Sequence, residues 1–205
     1  MTQPELFIIG GPNGSGKTTT AVRYLRSTSL KFLSADSIAA ELSPENPALA
    51  AIAAGRLLSR RLTDALDRGE SIVVESTLSG LTLRRTIRRA SGLGYRTTIL
   101  FVYVASPDEC IARIKERVAG GGHFVPDADV VRRFTRSLDN FWNVYRYLVS
   151  EWILFDNGGL SPLQIASGGQ GAVFVADEIR LADFLRLIGR EGVQYDQYGR
   201  GLSQS

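Results

Sequence analysis

The segment Gly11-Pro12-Asn13-Gly14-Ser15-Gly16-Lys17-Thr18 constrains this chain more than any other, because it follows directly on the apolar run Leu6 to Ile9. Its spacing, G-x-x-x-x-G-K-[ST], is that of a P-loop. Glycines let the backbone curl with its N–H groups turned inward, a nest for the oxygens of a di- or triphosphate. Lys17 then reaches the β and γ phosphates, and Thr18 offers its hydroxyl to magnesium. The residues that follow, Thr19 to Arg26, read as a helix, whose N-terminal partial charge and free N–H groups favour the same anion. Strand, loop and helix in that order predict an α/β nucleotide-binding fold with Gly11 to Thr19 holding the phosphates.

A chain of 205 residues fits one domain with room for a small appendage. Hydrophobic residues make up 44% and charged ones 22%, which excludes disordered and fibrous classes. The longest strongly apolar run, Thr97 to Ala105, is far too short to span a bilayer, and no basic segment with an apolar stretch opens the chain. No membrane role and a cytoplasmic location are therefore expected. The one cysteine, Cys110, cannot form an internal disulfide and lies in a helical apolar row with Ile114 and Val118, the pattern of a buried structural thiol. The net charge of +3 is weakly basic. Arg84, Arg85, Arg88 and Arg89 lack interleaved aromatics, so they read as a solvated helix face and no nucleic acid is expected as partner.

Short β-rich runs alternate with helical patterns, the signature of a parallel sheet flanked by helices. The expected strands are Glu5 to Gly10, Lys31 to Ala35, Ser71 to Glu75, Arg96 to Ala105 and Trp152 to Phe155. Leu58, Leu62, Ala65 and Leu66 recur at helical spacing, and Gly69 ends that helix as a C-cap. Ser106-Pro107-Asp108-Glu109 opens another with a capping box, closing at Gly120-Gly121-Gly122. A long helix over Ala128 to Val149 is expected to bury Val131, Phe134, Leu138, Phe141, Tyr145 and Leu148. Pro162 to Ala166 and Ala172 to Ala176 read as a hairpin turning at Gly168-Gly169-Gln170-Gly171, with a last helix at Glu178 to Ile188. The expected organisation is a P-loop core over residues 1–157 with a lid at about 106–127, a hairpin-helix appendage of the same domain over 158–190, and a polar tail over 191–205.

Ligands of open α/β sheets gather at the carboxyl ends of the strands, so polar residues just after strands are the first candidates. Asp36 is one. A carboxylate there either caps the helix beginning at Ser37 or accepts the proton of a substrate hydroxyl lined up on the γ-phosphate. Glu75-Ser76-Thr77 is another, where the apolar run Ile72-Val73-Val74 stops at an acid. Glu75 could hold magnesium through water, orient the acceptor together with Thr77, or cap the next turn. Charge that builds on a transferring phosphoryl group calls for arginines from a lid. Arg113 and Arg117 share one helix face just before a triple glycine that could hinge, and Arg133, Ser137 and Asn140 lie along one margin of the long helix. His123, the only histidine, follows that hinge.

The ordered set of P-loop, Ala35-Asp36-Ser37-Ile38-Ala39, Glu75-Ser76-Thr77-Leu78, Arg117-Val118, Gly121-Gly122-His123, Val125-Pro126 and Arg132-Arg133-Phe134 resembles the zeta-toxin family over roughly residues 5–157, and in particular its short stand-alone bacterial ATPases. Zeta toxins are P-loop kinases that transfer the ATP γ-phosphate to the 3′-hydroxyl of the amino sugar in UDP-N-acetylglucosamine. The resemblance implies ATP and Mg2+ as cofactors, Asp36 as catalytic base, Lys17 and Thr18 as the phosphate and magnesium residues, and Glu75 as an acid near the acceptor. It implies Arg117 as the first of two phosphate-binding arginines. The second is displaced here: His123 stands before Val125-Pro126 where the longer toxins have arginine, so His123 or Arg133 would supply that contact to ATP. An antitoxin protein is the implied partner. The expected activity is an alcohol-accepting small-molecule kinase for a nucleotide sugar; the alternatives are an NTP-hydrolysing switch acting on a macromolecule, and a kinase for another small hydroxyl substrate.

Overall fold

The computed structural model describes residues 3–24, 30–122, 124–190, 194–195 and 201–202. Five runs rich in Ile, Val, Leu and Phe form parallel strands: β1 (Glu5–Gly10), β2 (Lys31–Ser34), β3 (Ile72–Ser76), β4 (Arg96–Tyr103) and β5 (Glu151–Asp156). Two more, β6 (Leu163–Gly169) and β7 (Ala172–Val175), add antiparallel at one edge, giving a seven-stranded sheet in the order β2-β3-β1-β4-β5-β6-β7. The helices are α1 (Lys17–Tyr24), α2 (Ala35–Leu42), α3 (Ala51–Asp67), α4 (Leu83–Gly92), α5 (Pro107–Ala119), α6 (Asp127–Asn143) and α7 (Glu178–Leu187).

Central parallel strands are covered on both faces, which is why they read as unbroken apolar runs. On one face Leu6 and Ile8 of β1 join Leu62, Ile87, Phe134, Leu138 and Phe184 in the main core, so α3, α4, α6 and α7 all pack there. On the other, Phe7 and Ile9 of β1 meet Val73 and Ala21 of α1. β3, rather than β2, lies beside β1, with Ile9 opposite Glu75 and Gly10 opposite Ser76. This crossover sets Glu75, the last residue but one of β3, next to the glycine-rich loop that leaves β1.

The fourth strand ends at Tyr103, short of the expected Ala105, and the first helix begins at Lys17, two residues before the expected Thr19. Three other boundaries differ from expectation for identifiable reasons. The second strand stops at Ser34 because Ser34 is already the N-cap of α2, its hydroxyl accepting from the Ser37 N–H at 3.0 Å. The hairpin turn is only Gln170-Gly171, both at positive φ (49° and 90°), as a two-residue type I′ turn requires. Gly168 and Gly169 are therefore strand residues, and a Cβ on Gly168 would lie 2.7 Å from the Trp152 ring. The long helix ends at Asn143, and a 3-10 turn over Tyr145–Tyr147 replaces its expected last turns. Its buried row runs through Val130, while Val131, one position on, is 48% exposed.

Among the described residues no helix is long and apolar enough to cross a membrane. In the tail, Gln194–Tyr195 and Gly201–Leu202 pair as two antiparallel strands.

Candidate functional site

The loop between β1 and α1 is shaped by three glycines at positive φ, Gly11 (140°), Gly14 (80°) and Gly16 (83°). Side chains are excluded there by space as well as by conformation. A Cβ on Gly11 would come within 2.0 Å of the Val102 carbonyl oxygen, and one on Gly14 within 2.4 Å of the Cys110 carbonyl oxygen. On Gly16 it would meet Asn157 Nδ2 at 2.3 Å. The loop is thus clamped between the ends of β4 and β5 and the start of α5.

A cleft of about 380 Å³ opens above it, lined by Gly14, Gly16, Lys17, Thr18, Thr19, Glu75, Arg113, Arg117 and Asn157. Lys17 is buried, and its Nζ donates to the Pro12 carbonyl at 2.8 Å and lies 3.7 Å from Glu75 Oε1. Burial pushes the Lys17 ammonium below the ordinary lysine value, against the opposing pull of the Glu75 and then the Asp36 carboxylate. Thr18 Oγ1 donates to Glu75 Oε2 at 3.0 Å. Glu75, near the end of β3, therefore touches both side chains that a P-loop devotes to phosphate and metal.

The remaining loop residues serve its shape. Pro12 accepts the Lys17 bond, Ser15 is fully buried, and Asn13 Oδ1 accepts from Arg133 at 3.5 Å. Arg133 is held from the other side by Asp129 at 3.1 Å and sits outside the cleft wall. Arg113 donates to Glu109 at 2.6 Å and to the Asn157 carbonyl at 2.7 Å. Asn157 in turn donates to the Ser15 carbonyl at 2.8 Å. Asn157 escaped the sequence reading; its one signal was a polar residue immediately after the apolar fifth strand, at the ligand end of the sheet.

Asp36 lies in the exposed first turn of α2, in neither cavity wall, near enough for its charge to act on Lys17. Capping falls to Ser34, which leaves the Asp36 side chain uncommitted to that task. Thr77 lies on the other side of the β3 turn, lining a second cavity of about 470 Å³ between α3 and α4. That turn is held by α6: Ser137 donates to the Thr77 carbonyl, Asn140 to the Leu78 carbonyl at 2.9 Å, and Tyr145 to the Gly80 carbonyl at 2.6 Å. Ser137 and Asn140, expected along a cleft margin, are thus spent on backbone, and they help hold buried Leu78 at φ 55°, a costly conformation for a side-chain-bearing residue. His123 lies outside the described residues.

Residues 6–141 match an AAA-domain family. The chain belongs to that family. A relative from Haemophilus influenzae, an uncharacterized protein, is 33% identical over 133 residues, covering 64% of this chain and 93% of the relative. Among solved structures, the AvrRxo1-ORF1:-ORF2 complex with ATP superposes with a TM-score of 0.71 at 18% identity, covering 95% of this chain and 66% of that one. A structure of the PezAT chromosomal toxin-antitoxin system of Streptococcus pneumoniae superposes at 0.64 with 16% identity, covering 96% and 82%. At such identities the likeness is one of fold. This AAA-domain chain spans 62 to 66% of the length of the AvrRxo1 chains it matches.

Proposed function

We propose that this AAA-domain protein is an ATP-dependent small-molecule kinase, transferring the γ-phosphate to a hydroxyl of a nucleotide sugar of the UDP-N-acetylglucosamine type, as its resemblance to zeta toxins implies. The observation that carries the reading is the placement of Lys17, Thr18 and Glu75 in one cleft of about 380 Å³, with a second cavity directly across the β3 turn. A switch needs only the first cavity; a kinase needs room for an acceptor beside it. The solved AvrRxo1 complex with ATP supports ATP as the nucleotide.

The donor set suits magnesium: Thr18 hydroxyl and Glu75 carboxylate are hard oxygens at hydrogen-bond distance, and no cluster of three metal-binding side chains occurs among the described residues. Magnesium sites of this kind take one or two protein oxygens and complete themselves with phosphate and water. Thr18 and Glu75 would hold the ion, which when bound supplies neutralisation of the phosphate charge. Lys17 places a fixed positive charge on the β and γ phosphates, and Arg117 from α5 adds a second as charge spreads over the transferring group. Asp36 accepts the proton of the acceptor hydroxyl; the freed oxygen bonds to the γ-phosphorus while the bond to the bridging oxygen breaks and ADP leaves. Arg133, fixed between Asp129 and Asn13, steadies the loop from outside. A protein partner of the antitoxin kind is part of the same proposal, motivated by the toxin-antitoxin system to which one structural neighbour belongs.

The test is incubation with ATP, magnesium and a panel of UDP-sugars, with products separated by mass. Acceptor-dependent ADP release and a phosphorylated sugar are expected, and Asp36→Asn should lower the rate by about 100-fold or more. No phosphorylated product from any acceptor, or an unchanged rate in Asp36→Asn, refutes the reading.

A further inference from the structure

The second cavity has a chemistry of its own. Its wall carries five Ser or Thr hydroxyls, apolar patches from Leu58, Leu62 and Leu83, one cation, Arg56, and no carboxylate. A pocket that must grip an amine or a neutral polyol normally offers acids, which accept hydrogen bonds and balance positive charge. This one offers a guanidinium and hydroxyls that can donate or accept, with Ser59 already donating to the Gly55 carbonyl.

The arginines of α3 and α4 fall into two groups. Nine arginines are held by carboxylates, among them Arg61 by Glu41 and Arg89 by Asp67 on the same pair of helices. Among the described residues, Arg56 and Arg60 on α3 and Arg84, Arg85 and Arg88 on α4 take part in no salt bridge, and of these Arg56 lines the cavity. Arg84 stands close enough to act on the Tyr145 phenol, whose ring lines the cavity. Thr82 opens α4 on the same wall without a side-chain cap, so the partial positive charge of that helix end adds to the field. Two unpaired guanidiniums, a hydroxyl-rich wall and apolar patches fit a ligand with a ring and a phosphate ester.

We propose that this cavity binds the phosphate-bearing part of the acceptor, with Arg56 as the specificity-determining contact and Arg84 as its support. The inference rests on the kinase reading for calling that ligand an acceptor. Arg56 forks onto phosphate oxygens, which Lys could do only as a point charge. The hydroxyl to be phosphorylated then lies toward Thr77 and the phosphate cleft, and cationic acceptors such as amino-glycosides are turned away.

The experiment compares binding of N-acetylglucosamine 1-phosphate, N-acetylglucosamine and gluconate by calorimetry without ATP, in the wild type, Arg56→Gln, Arg56→Lys, Arg84→Gln and Lys17→Ala. The sugar phosphate should bind at least about 10-fold more tightly than the neutral sugar in the wild type, a preference lost in Arg56→Gln and partly kept in Arg56→Lys. Arg84→Gln should reduce it, and Lys17→Ala should preserve it, which separates this pocket from the P-loop cleft. Equal binding of the two sugars, a preference for gluconate, or a preference indifferent to Arg56 overturns the proposal. Arg56-dependent binding with no phosphoryl transfer to any acceptor would uphold this pocket and remove the kinase reading instead. Transfer to neutral sugars with Arg56 silent would do the reverse.

Discussion

Lys17 sits between opposed effects: burial favours its neutral form, while Glu75 and Asp36 favour the ammonium that phosphate binding needs. Removing the nearer carboxylate tips that balance. In Glu75→Gln the Lys17 pKa should fall further, so the alkaline limit of ATP binding, where the ammonium is lost, should move to lower pH than in the wild type. A side-chain NMR titration of Lys17 checks this directly, and an unmoved or raised pKa would count against the geometry. The stability sign runs the other way from an ordinary ion pair. Because the folded pKa lies below the unfolded one, the charged lysine destabilises the fold below the folded pKa, and that cost is relieved as pH rises toward the unfolded value. At this scale the P-loop side chains were legible, since glycine spacing and an apolar run are local signals. Glu75 was visible only as a strand-ending acid with three possible duties, because its contact with Thr18 spans 57 positions. Asn157 was silent for the same reason, its bond to the Ser15 carbonyl spanning 142.

The start of α2 shows how an element can separate two readings of one residue. Ser34 is the cap by geometry, and Asp36 lies two residues into the helix, where the helix dipole gives a carboxylate a modest benefit. Ser34→Ala should therefore cost about 1 kcal/mol in urea unfolding, and Asp36→Asn clearly less than that. A cost in Asp36→Asn equal to that of Ser34→Ala would return Asp36 to a structural role and weaken its assignment as base. Helix beginnings such as Ser106, whose hydroxyl accepts from the Glu109 N–H at 3.2 Å, were readable because capping chemistry is written within four residues. The end of α6 was not. There the apolar period continues through Tyr145, but the Tyr145 hydroxyl is drawn to Gly80 and Arg146 is stacked 4.2 Å from the centres of both the Trp142 and Tyr147 rings, so tertiary contacts override the local pattern.

Across the whole molecule, α6 is the element through which core packing reaches both cavities. Its Arg133 touches the P-loop, and its Ser137 and Asn140 hold the turn between the cavities. Its Phe141 and Trp142 lie in an aromatic cluster with Phe101, Trp152 and Phe184. Phe184 comes from α7, beyond the hairpin, and is fully buried with its ring centroid 4.9 Å from Tyr103 of β4 and 5.6 Å from Trp142. Residues after 157 thus complete the core under α6. Phe184→Ala should cost about 3–5 kcal/mol in urea unfolding, the range for a buried aromatic truncated where the site cannot collapse. It should also weaken ATP binding although Phe184 lies in neither cavity wall, because α6 would lose its backing and the Arg133 and Asn140 contacts their fixed positions. Phe174, two-thirds exposed on the edge strand β7, is the control, and its truncation should change neither quantity appreciably. A Phe184→Ala protein that unfolds more readily but binds ATP as tightly as the wild type, measured well below its unfolding midpoint, would show that the core supports the fold without positioning the site.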